Sequence, residues 1–193
     1  MIDLIKVLLV QTLRNPTQAG ELLCAMNLTR EQGWAALFLA CILNTLAYFA
    51  SITLFPVPPE AMLPMMSTPV MVLVTLSSAM TVSVFALFWT GRMLDGKARF
   101  GDILTMIAWL QFLRVLLQLA TIILMFIVPG IAYILVMAAS LYGLWVLIHF
   151  LKVAHRFSST GKAIVTLVLA TLGMTMGLSL FLSVMGVAAI GIS

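Results

Sequence analysis

The residue with the clearest capacity for chemistry is Arg114, which lies in the apolar stretch AWLQFLRVLLQLAT (108–121). It carries the only charge between Asp102 and Lys152. An ionisable side chain at membrane depth is costly and by default indicates a functional site. A guanidinium has two uses there. Its five N–H donors can tie helices together, or it can bind water, an anion or a lipid phosphate in a cavity.

Arg114 belongs to a polar stripe on its helix. One helical face carries, at spacings of three, four and three residues, Gln111, Arg114, Gln118 and Thr121. We expect this stripe to face protein or water, with Asn44 in an earlier apolar segment as a candidate partner. No carboxylate lies within any of the apolar segments, so an ion pair is not expected. These five residues form a candidate intramembrane polar site.

Residue types that support catalysis or metal binding are sparse. His149 and His155 are six residues apart, which places them on different faces of a helix. The chain has neither a His-Glu-x-x-His motif nor a glycine-rich phosphate loop. Met62, Met65 and Met66 have thioethers of the kind that suits Cu(I), but the 14 methionines are spread along the chain, as is typical of packing residues. The sequence therefore predicts no enzyme, metal or cofactor.

The composition places these residues in a membrane protein. The chain is 63% apolar and 8% charged, with a mean hydropathy of +1.20, which no soluble domain shows. Apolar runs predict five transmembrane helices, at about 34–55, 69–90, 103–128, 131–151 and 163–190. Pro129 and Gly130 separate the third and fourth runs, so these two helices should form a hairpin. The expected fold is all-α and polytopic, with the five-helix domain over 34–193.

The first 33 residues predict amphipathic helices at the membrane interface. The segment before Asn15 is too short to cross a bilayer and carries several charges. Asn15 can cap a second helix that Pro16 opens. The residues Thr29 to Gln32 have the spacing of a capping box before the first transmembrane helix.

The basic residues predict the orientation of the chain. Of the ten Lys and Arg residues, three precede the first predicted span, three lie between the second and third, and three lie between the fourth and fifth. In order these are Lys6, Arg14, Arg30, Arg92, Lys97, Arg99, Lys152, Arg156 and Lys162. Since cytoplasmic segments retain positive charge, the N-terminus is expected in the cytoplasm and the C-terminus outside. Arg114 is the exception, and twelve residues of helix from Asp102 place it about 18 Å deep, near the midplane.

The basic loops predict a second candidate site, a cytoplasmic interaction surface. Its members are Arg92, Lys97, Arg99, Asp102, His155 and Arg156. The net charge of +4 is explained by topology and by anionic lipid headgroups, and it requires no nucleic acid. Membrane lipids are the expected partners, and other membrane proteins or a second copy remain open alternatives. Gly173 and Gly177 have the spacing of a close helix contact, within the chain or between subunits.

Two segments resemble the bacterial branch of the Yip domain family, which is named for Ypt-interacting proteins. They are KARFGDILTMIAW (97–109) and LYGLWVLIHFLKVAHRFSSTGKAIVTLVL (141–169). In the second segment an aromatic residue, a histidine, a Ser/Thr turn and a Lys-Ala helix start follow one another. The resemblance implies a small polytopic protein of membrane organisation or trafficking in a bacterial inner membrane, acting through contacts and without catalysis.

The sequence also departs from the family pattern. The long N-terminal region and the Asp-Leu-Trp element of eukaryotic members have no counterpart, and the expected Gly-Tyr is Ala108-Trp109. A Ypt/Rab GTPase partner is therefore not carried over. The alternative to an interaction protein is a small transporter or channel lined in part by Arg114. A water-accessible cavity at Arg114 would favour transport, whereas a closed core with a functional cytoplasmic surface would favour interaction.

Overall fold

The computed structural model describes residues 2–56, 58 and 66–190, and this part of the chain forms seven helices and no strand. The helices are α1 (Ile2–Arg14), α2 (Pro16–Ala25), α3 (Arg30–Leu54), α4 (Pro69–Met93), α5 (Phe100–Ile127), α6 (Pro129–His155) and α7 (Thr160–Ile190). Helices α3 to α7 are long and apolar enough to cross a membrane. The fold is therefore all-α and multi-pass, as the sequence predicted. Met62 and Met65 lie outside the described residues.

The five long helices share one end that extends beyond the predicted boundaries. At this end α3 begins at Arg30 rather than 34, α4 ends at Met93 rather than 90, α5 begins at Phe100 rather than 103, α6 ends at His155 rather than 151, and α7 begins at Thr160 rather than 163. The apolar runs stop there, but backbone hydrogen bonding continues for about one more turn. We call this end, where nearly all the basic residues lie, the basic end, and the opposite part of the bundle the far half.

The turn between α5 and α6 is tighter than predicted. Val128 closes α5 by donating its N–H to the Leu124 carbonyl at 2.8 Å, and it also precedes α6 directly. Pro129 is the first residue of α6 rather than part of a loop. A proline suits that position because its fixed φ matches a helix and no hydrogen-bond donor is needed there. The two helices pack against each other as a hairpin.

The predicted caps of the N-terminal region are present. The Asn15 side chain accepts a hydrogen bond from the Gln18 N–H at 3.3 Å, and Pro16 opens α2. Thr29 and Gln32 form a full capping box, with hydrogen bonds of 3.2 Å and 3.0 Å between side chains and backbone. These local signals fix where α2 and α3 begin.

Helix α1 packs on the flank of the bundle. The Trp109 indole N–H donates to the buried hydroxyl of Thr12 at 3.0 Å, and the Tyr142 hydroxyl donates to the Leu13 carbonyl at 2.9 Å. Trp109 lies nine residues after Phe100, about 13 Å along α5. Helix α1 is therefore tied to both α5 and α6 at this depth.

The hydrophobic core lies towards the basic end. Helix α5 buries every residue from Asp102 to Trp109, and α4 buries Val84, Leu87 and Gly91 near its end. Phe150, Leu151 and Ala154 are buried in the last two turns of α6, and α7 buries Ala163, Thr166 and Ala170 in its first third. The core thus positions the helix ends that carry the basic residues.

Candidate functional site

The polar stripe of α5 is divided between the interior and the surface. Gln111 is buried, Gln118 and Thr121 are half-buried, and Arg114 is exposed. Positions three residues apart on a helix differ by about 60° in direction, since each residue turns about 100°. That angle is sufficient here to place Gln111 in a helix interface and Arg114 outside it.

Asn44 contacts Gln111 and forms a polar contact between three helices. Its amide donates to the Gln111 carbonyl at 3.0 Å and to the Ala40 carbonyl at 2.8 Å, which joins α3 to α5. The Gln111 side-chain amide donates to the sulfur of Met80 on α4. Such hydrogen bonds hold helices together in an apolar medium. The geometry gives Asn44 and Gln111 a structural role.

Arg114 has no hydrogen bond or ion pair with any residue that the structure describes. Its side chain is on the outside of the bundle. Asn44, the partner suggested for it, donates its amide N–H groups to Gln111 and Ala40, and its buried Oδ1 accepts no hydrogen bond from Arg114. An arginine that ties helices together must donate to acceptors on a neighbouring helix, and Arg114 makes no such bond among the described residues.

The predicted interaction surface is distributed over two clefts at the basic end. The first, which we call the mixed-charge cleft, has a volume of about 650 Å³. Its ionisable residues are Glu21 and Cys24 of α2, Arg99 and Asp102 at the start of α5, and Lys152 and Arg156 at the end of α6. The second, which we call the arginine cleft, has a volume of about 570 Å³ and includes Arg30, Arg92 and Arg99. Lys97 is exposed in the α4–α5 loop and lines neither cleft.

Electrostatics within the mixed-charge cleft are set by one ion pair and by burial. Arg99 pairs with Asp102 at 3.2 Å, and the Asp102 side chain is only 11% exposed. Burial, followed by the charge of Asp102, raises the pKa of the Cys24 thiol to about 11. Because the thiolate is the reactive form, Cys24 is a poor nucleophile at neutral pH.

His155 does not belong to the accessible surface, contrary to the sequence prediction. It is fully buried, and its ring stacks on Phe157 with centroids 5.1 Å apart. A Cβ added to Gly91 or to Gly96 would overlap the His155 ring, so both glycines are required for its close approach. The sequence placed this histidine at the right end of the bundle, but it carried no signal for the two glycines around it.

The two loops beside His155 are joined to each other. The Lys97 N–H donates to the His155 carbonyl at 2.9 Å, which connects the α4–α5 loop to the end of α6. The Lys162 ammonium at the start of α7 donates to the Leu94 carbonyl at 3.4 Å and lies 3.7 Å from the Asp95 carboxylate. These contacts fix the backbone that presents the basic side chains.

An apolar groove lies between the N-terminal helices and the bundle. It has a volume of about 340 Å³, and Thr105 is the only polar residue among the described residues that line it. Leu8 of α1, Leu23 of α2, Ala40 of α3 and Trp109 of α5 contribute to its wall. We call this feature the apolar groove.

The Yip1 domain family matches residues 10–188 of the chain. The protein belongs to the Yip1 domain family. The match confirms the resemblance to the Yip domain family that was seen in the sequence. The family is membrane-associated, trafficking-related and non-enzymatic. No curated protein and no solved structure matches the chain.

The segments that carry the Yip-domain resemblance supply contacts of the basic end and of α1. Tyr142 holds α1, His155 fills the space beside Gly91, and Lys162 binds the α4–α5 loop. The Trp109 that replaces the expected tyrosine donates its hydrogen bond to Thr12. In this Yip1 domain these residues therefore act in packing.

Among the described residues, no three His, Cys, Asp or Glu side chains come together as a possible metal site. The residues that sequence reasoning missed at the clefts are Glu21, Arg30 and Lys152. Arg30 and Lys152 were visible as basic residues at predicted helix ends. Their assembly into clefts depends on which helices are neighbours, and no local pattern contains that information.

Proposed function

We propose that this Yip1 domain protein is a membrane-organising component that binds a segment of another membrane protein in its mixed-charge cleft. The observation that carries the proposal is the cleft itself, where Lys152 and Arg156 of α6 meet Glu21 of α2 and the Arg99–Asp102 pair of α5. A surface with both signs of charge suits a polypeptide segment that also carries both signs.

The rigidity of the cleft supports a binding role. Its walls are helix ends fixed by a buried core, and the loop contacts of Lys97 and Lys162 hold the adjoining backbone. A binding site built on rigid elements loses less conformational freedom when its partner docks. Cys24 stays protonated near neutral pH, which supports binding rather than nucleophilic chemistry.

We further propose that the basic end faces the cytoplasm of a bacterium and that the protein resides in the inner membrane. The support is the distribution of Lys and Arg, nine of which lie in α1, in the end turns of the long helices at the basic end, or in the loops that join those ends. The positive-inside rule assigns that side to the cytoplasm. Because five described helices are long and apolar enough to cross a membrane, we propose that the C-terminus lies on the opposite side, outside.

Transport through the bundle is the competing function, and the position of Arg114 argues against it. A transport pathway needs a polar cavity within the bundle, whereas Arg114 is exposed and lines neither of the two clefts nor the apolar groove. Purified protein in liposomes should therefore show no flux across a broad panel of ions and solutes. Flux that Arg114→Leu abolishes in a correctly inserted protein would establish transport instead.

Charge reversal in the cleft tests the binding role. The assay is the yield of the partner protein that co-purifies after cross-linking in native membranes. Lys152→Glu combined with Arg156→Glu should reduce this yield by about tenfold. The reason is that the loss or reversal of a charge pair at an interface costs about 1.5 kcal/mol or more of binding free energy. Lys6→Glu with Arg14→Glu is the matched control, since it makes the same change in net charge on α1. Equal loss in both double variants would show that total charge, rather than the cleft, determines binding.

A further inference from the structure

The arginine cleft differs from the mixed-charge cleft because none of the described residues that line it is a carboxylate. Arg30 comes from the start of α3, Arg92 from the last turn of α4, and Arg99 directly precedes α5. Arg99 is paired with Asp102, whereas Arg30 and Arg92 have no ion pair within the described chain. Three guanidinium groups from three segments thus converge on one cleft, and two of them are not neutralised.

Aromatic rings hold the two unpaired arginines. The Arg30 guanidinium lies over the Phe100 ring at 5.8 Å, and that of Arg92 lies over the Phe88 ring at 5.5 Å. Cation–π contacts of this kind orient a guanidinium and leave its edge available for hydrogen bonds. The oriented guanidinium groups of Arg30 and Arg92 therefore give the arginine cleft the donors that bind an anion.

The same rings belong to an aromatic cluster that indicates the depth of the cleft. Its members are Trp34, Phe38, Phe85, Phe88 and Phe100, with neighbouring ring centroids 5.2 to 6.3 Å apart. Aromatic side chains, Trp above all, concentrate where a membrane protein meets the boundary between lipid and water. The phosphates of lipid headgroups lie at this same boundary.

The apolar groove adjoins the arginine cleft. Leu28, in the connection between α2 and α3, lines both. Gly101 lines the cleft and Thr105 lines the groove one helical turn away, and the Thr105 hydroxyl donates to the Gly101 carbonyl at 2.8 Å. A charged site at headgroup depth therefore continues into a site with an almost entirely apolar wall.

We propose that the arginine cleft and the apolar groove together bind one anionic phospholipid. Its phosphate accepts hydrogen bonds from Arg30 and Arg92, and one acyl chain fills the groove between α1, α2, α3 and α5. Guanidinium groups match the geometry of phosphate oxygens, and the chain gains packing contacts along the groove wall. This goes beyond the proposed protein partner, which uses another cleft.

Lipid retention by the full-length protein in detergent tests the headgroup half of the site. Native mass spectrometry after addition of equimolar dioleoylphosphatidylglycerol and dioleoylphosphatidylcholine should show one retained phosphatidylglycerol. Arg30→Gln with Arg92→Gln should weaken retention about tenfold for each arginine, since each charge-assisted contact has roughly that effect on an equilibrium constant. Lys6→Gln with Lys97→Gln removes the same charge from exposed positions outside the cleft and should leave retention unchanged.

A change in the groove wall tests the acyl-chain half. Ala36 is half-buried and lines the groove, so Ala36→Leu should occupy part of its volume and reduce phosphatidylglycerol retention severalfold. Inorganic phosphate at matched ionic strength should displace the lipid only weakly, because it makes no contact in the groove. Three results would each overturn the proposal. The first is equal retention of the two lipids, and the second is equal loss of retention in the two double variants. The third is efficient displacement of the lipid by phosphate together with normal retention by Ala36→Leu.

Discussion

Helix α5 buries every residue from Asp102 to Trp109 at the basic end, whereas it buries none beyond Val115 in the far half. Helix α4 follows the same pattern, and α6 buries five residues from Val146 to His155 but only Ala132 in the far half. In the far half Phe126 is 65% exposed and Ile134 is 69% exposed. A Cβ added at Gly173 or Gly177 would meet no described residue beyond the local backbone of α7 within 4 Å.

The contrast shows that apolar character and burial are separate properties in a membrane protein. In lipid, an exposed isoleucine remains in an apolar medium, so the far half needs no dense core to satisfy its side chains. The basic end includes loops, clefts and charged residues, and its shape depends on contacts within the chain. Selective mutation of matched residues in the two halves should therefore give very different effects.

The largest difference is expected for a pair of phenylalanines. Phe150 is fully buried near the basic end, and Phe126 is exposed in the far half. Phe150→Ala should lower the free energy of unfolding by about 4 kcal/mol because it leaves a cavity in a packed region. Phe126→Ala should change it by no more than about 1.5 kcal/mol, through the loss of its ring contact with Phe55. Thermal or denaturant unfolding in detergent micelles measures both, and similar losses would contradict the division into two halves.

A pair of glycines should give the next largest difference. Gly91→Ala forces a methyl group into the His155 ring and should destabilise the protein by about 3 kcal/mol. Gly173→Ala adds a methyl group in open space and should cause no loss, since alanine favours the helix by up to about 1 kcal/mol. The same unfolding assay applies. A tolerated Gly91→Ala protein would mean that His155 is not held against α4.

The polar contact between α3 and α5 should contribute a smaller amount. Asn44→Leu and Gln111→Leu each remove the 3.5 Å hydrogen bond from the Asn44 amide to the Gln111 side-chain oxygen. Asn44→Leu also removes the bond to the Gln111 backbone carbonyl, which Gln111→Leu leaves in place. In a double-mutant cycle the coupling free energy should be about 0.6 kcal/mol, a typical value for such bonds in membrane proteins. Thr53→Val, at an exposed position of α3 whose hydroxyl bonds only its own helix, provides the control. A coupling free energy of zero would show that the Asn44 and Gln111 side chains do not interact with each other across the two helices.

The smallest effect is expected for Arg114. Because its side chain is exposed and has no hydrogen bond within the described chain, Arg114→Leu should change the free energy of unfolding by less than about 0.5 kcal/mol. A loss of 2 kcal/mol or more would show that this arginine ties helices together. That result would also remove the distinction between Gln111 as an interior residue and Arg114 as an exposed one.

Much of the fold could be predicted from the sequence because its signals are local. Asn15, Pro16 and the capping box at Thr29 act on adjacent backbone, and the apolar runs follow from the thickness of a bilayer. The polar stripe of α5 could not show that Gln111 is buried whereas Arg114 is exposed, because this depends on where α3 packs against α5. His155 illustrates the same limit. A histidine beside a basic loop indicates a surface, and only the approach of Gly91 and Gly96 makes it interior.

Site-specific photo-cross-linking in native membranes tests the central claim, that the protein works through its basic end rather than through the bundle. A photoreactive residue is placed in turn at Thr17, which lines the mixed-charge cleft, and at Ile123 and Tyr133, which are exposed in the far half. We predict a discrete protein adduct at Thr17 that Lys152→Glu with Arg156→Glu abolishes, and no adduct of the same mass at Ile123 or Tyr133. The same adduct at the far-half positions, unaffected by charge reversal in the cleft, would contradict the account.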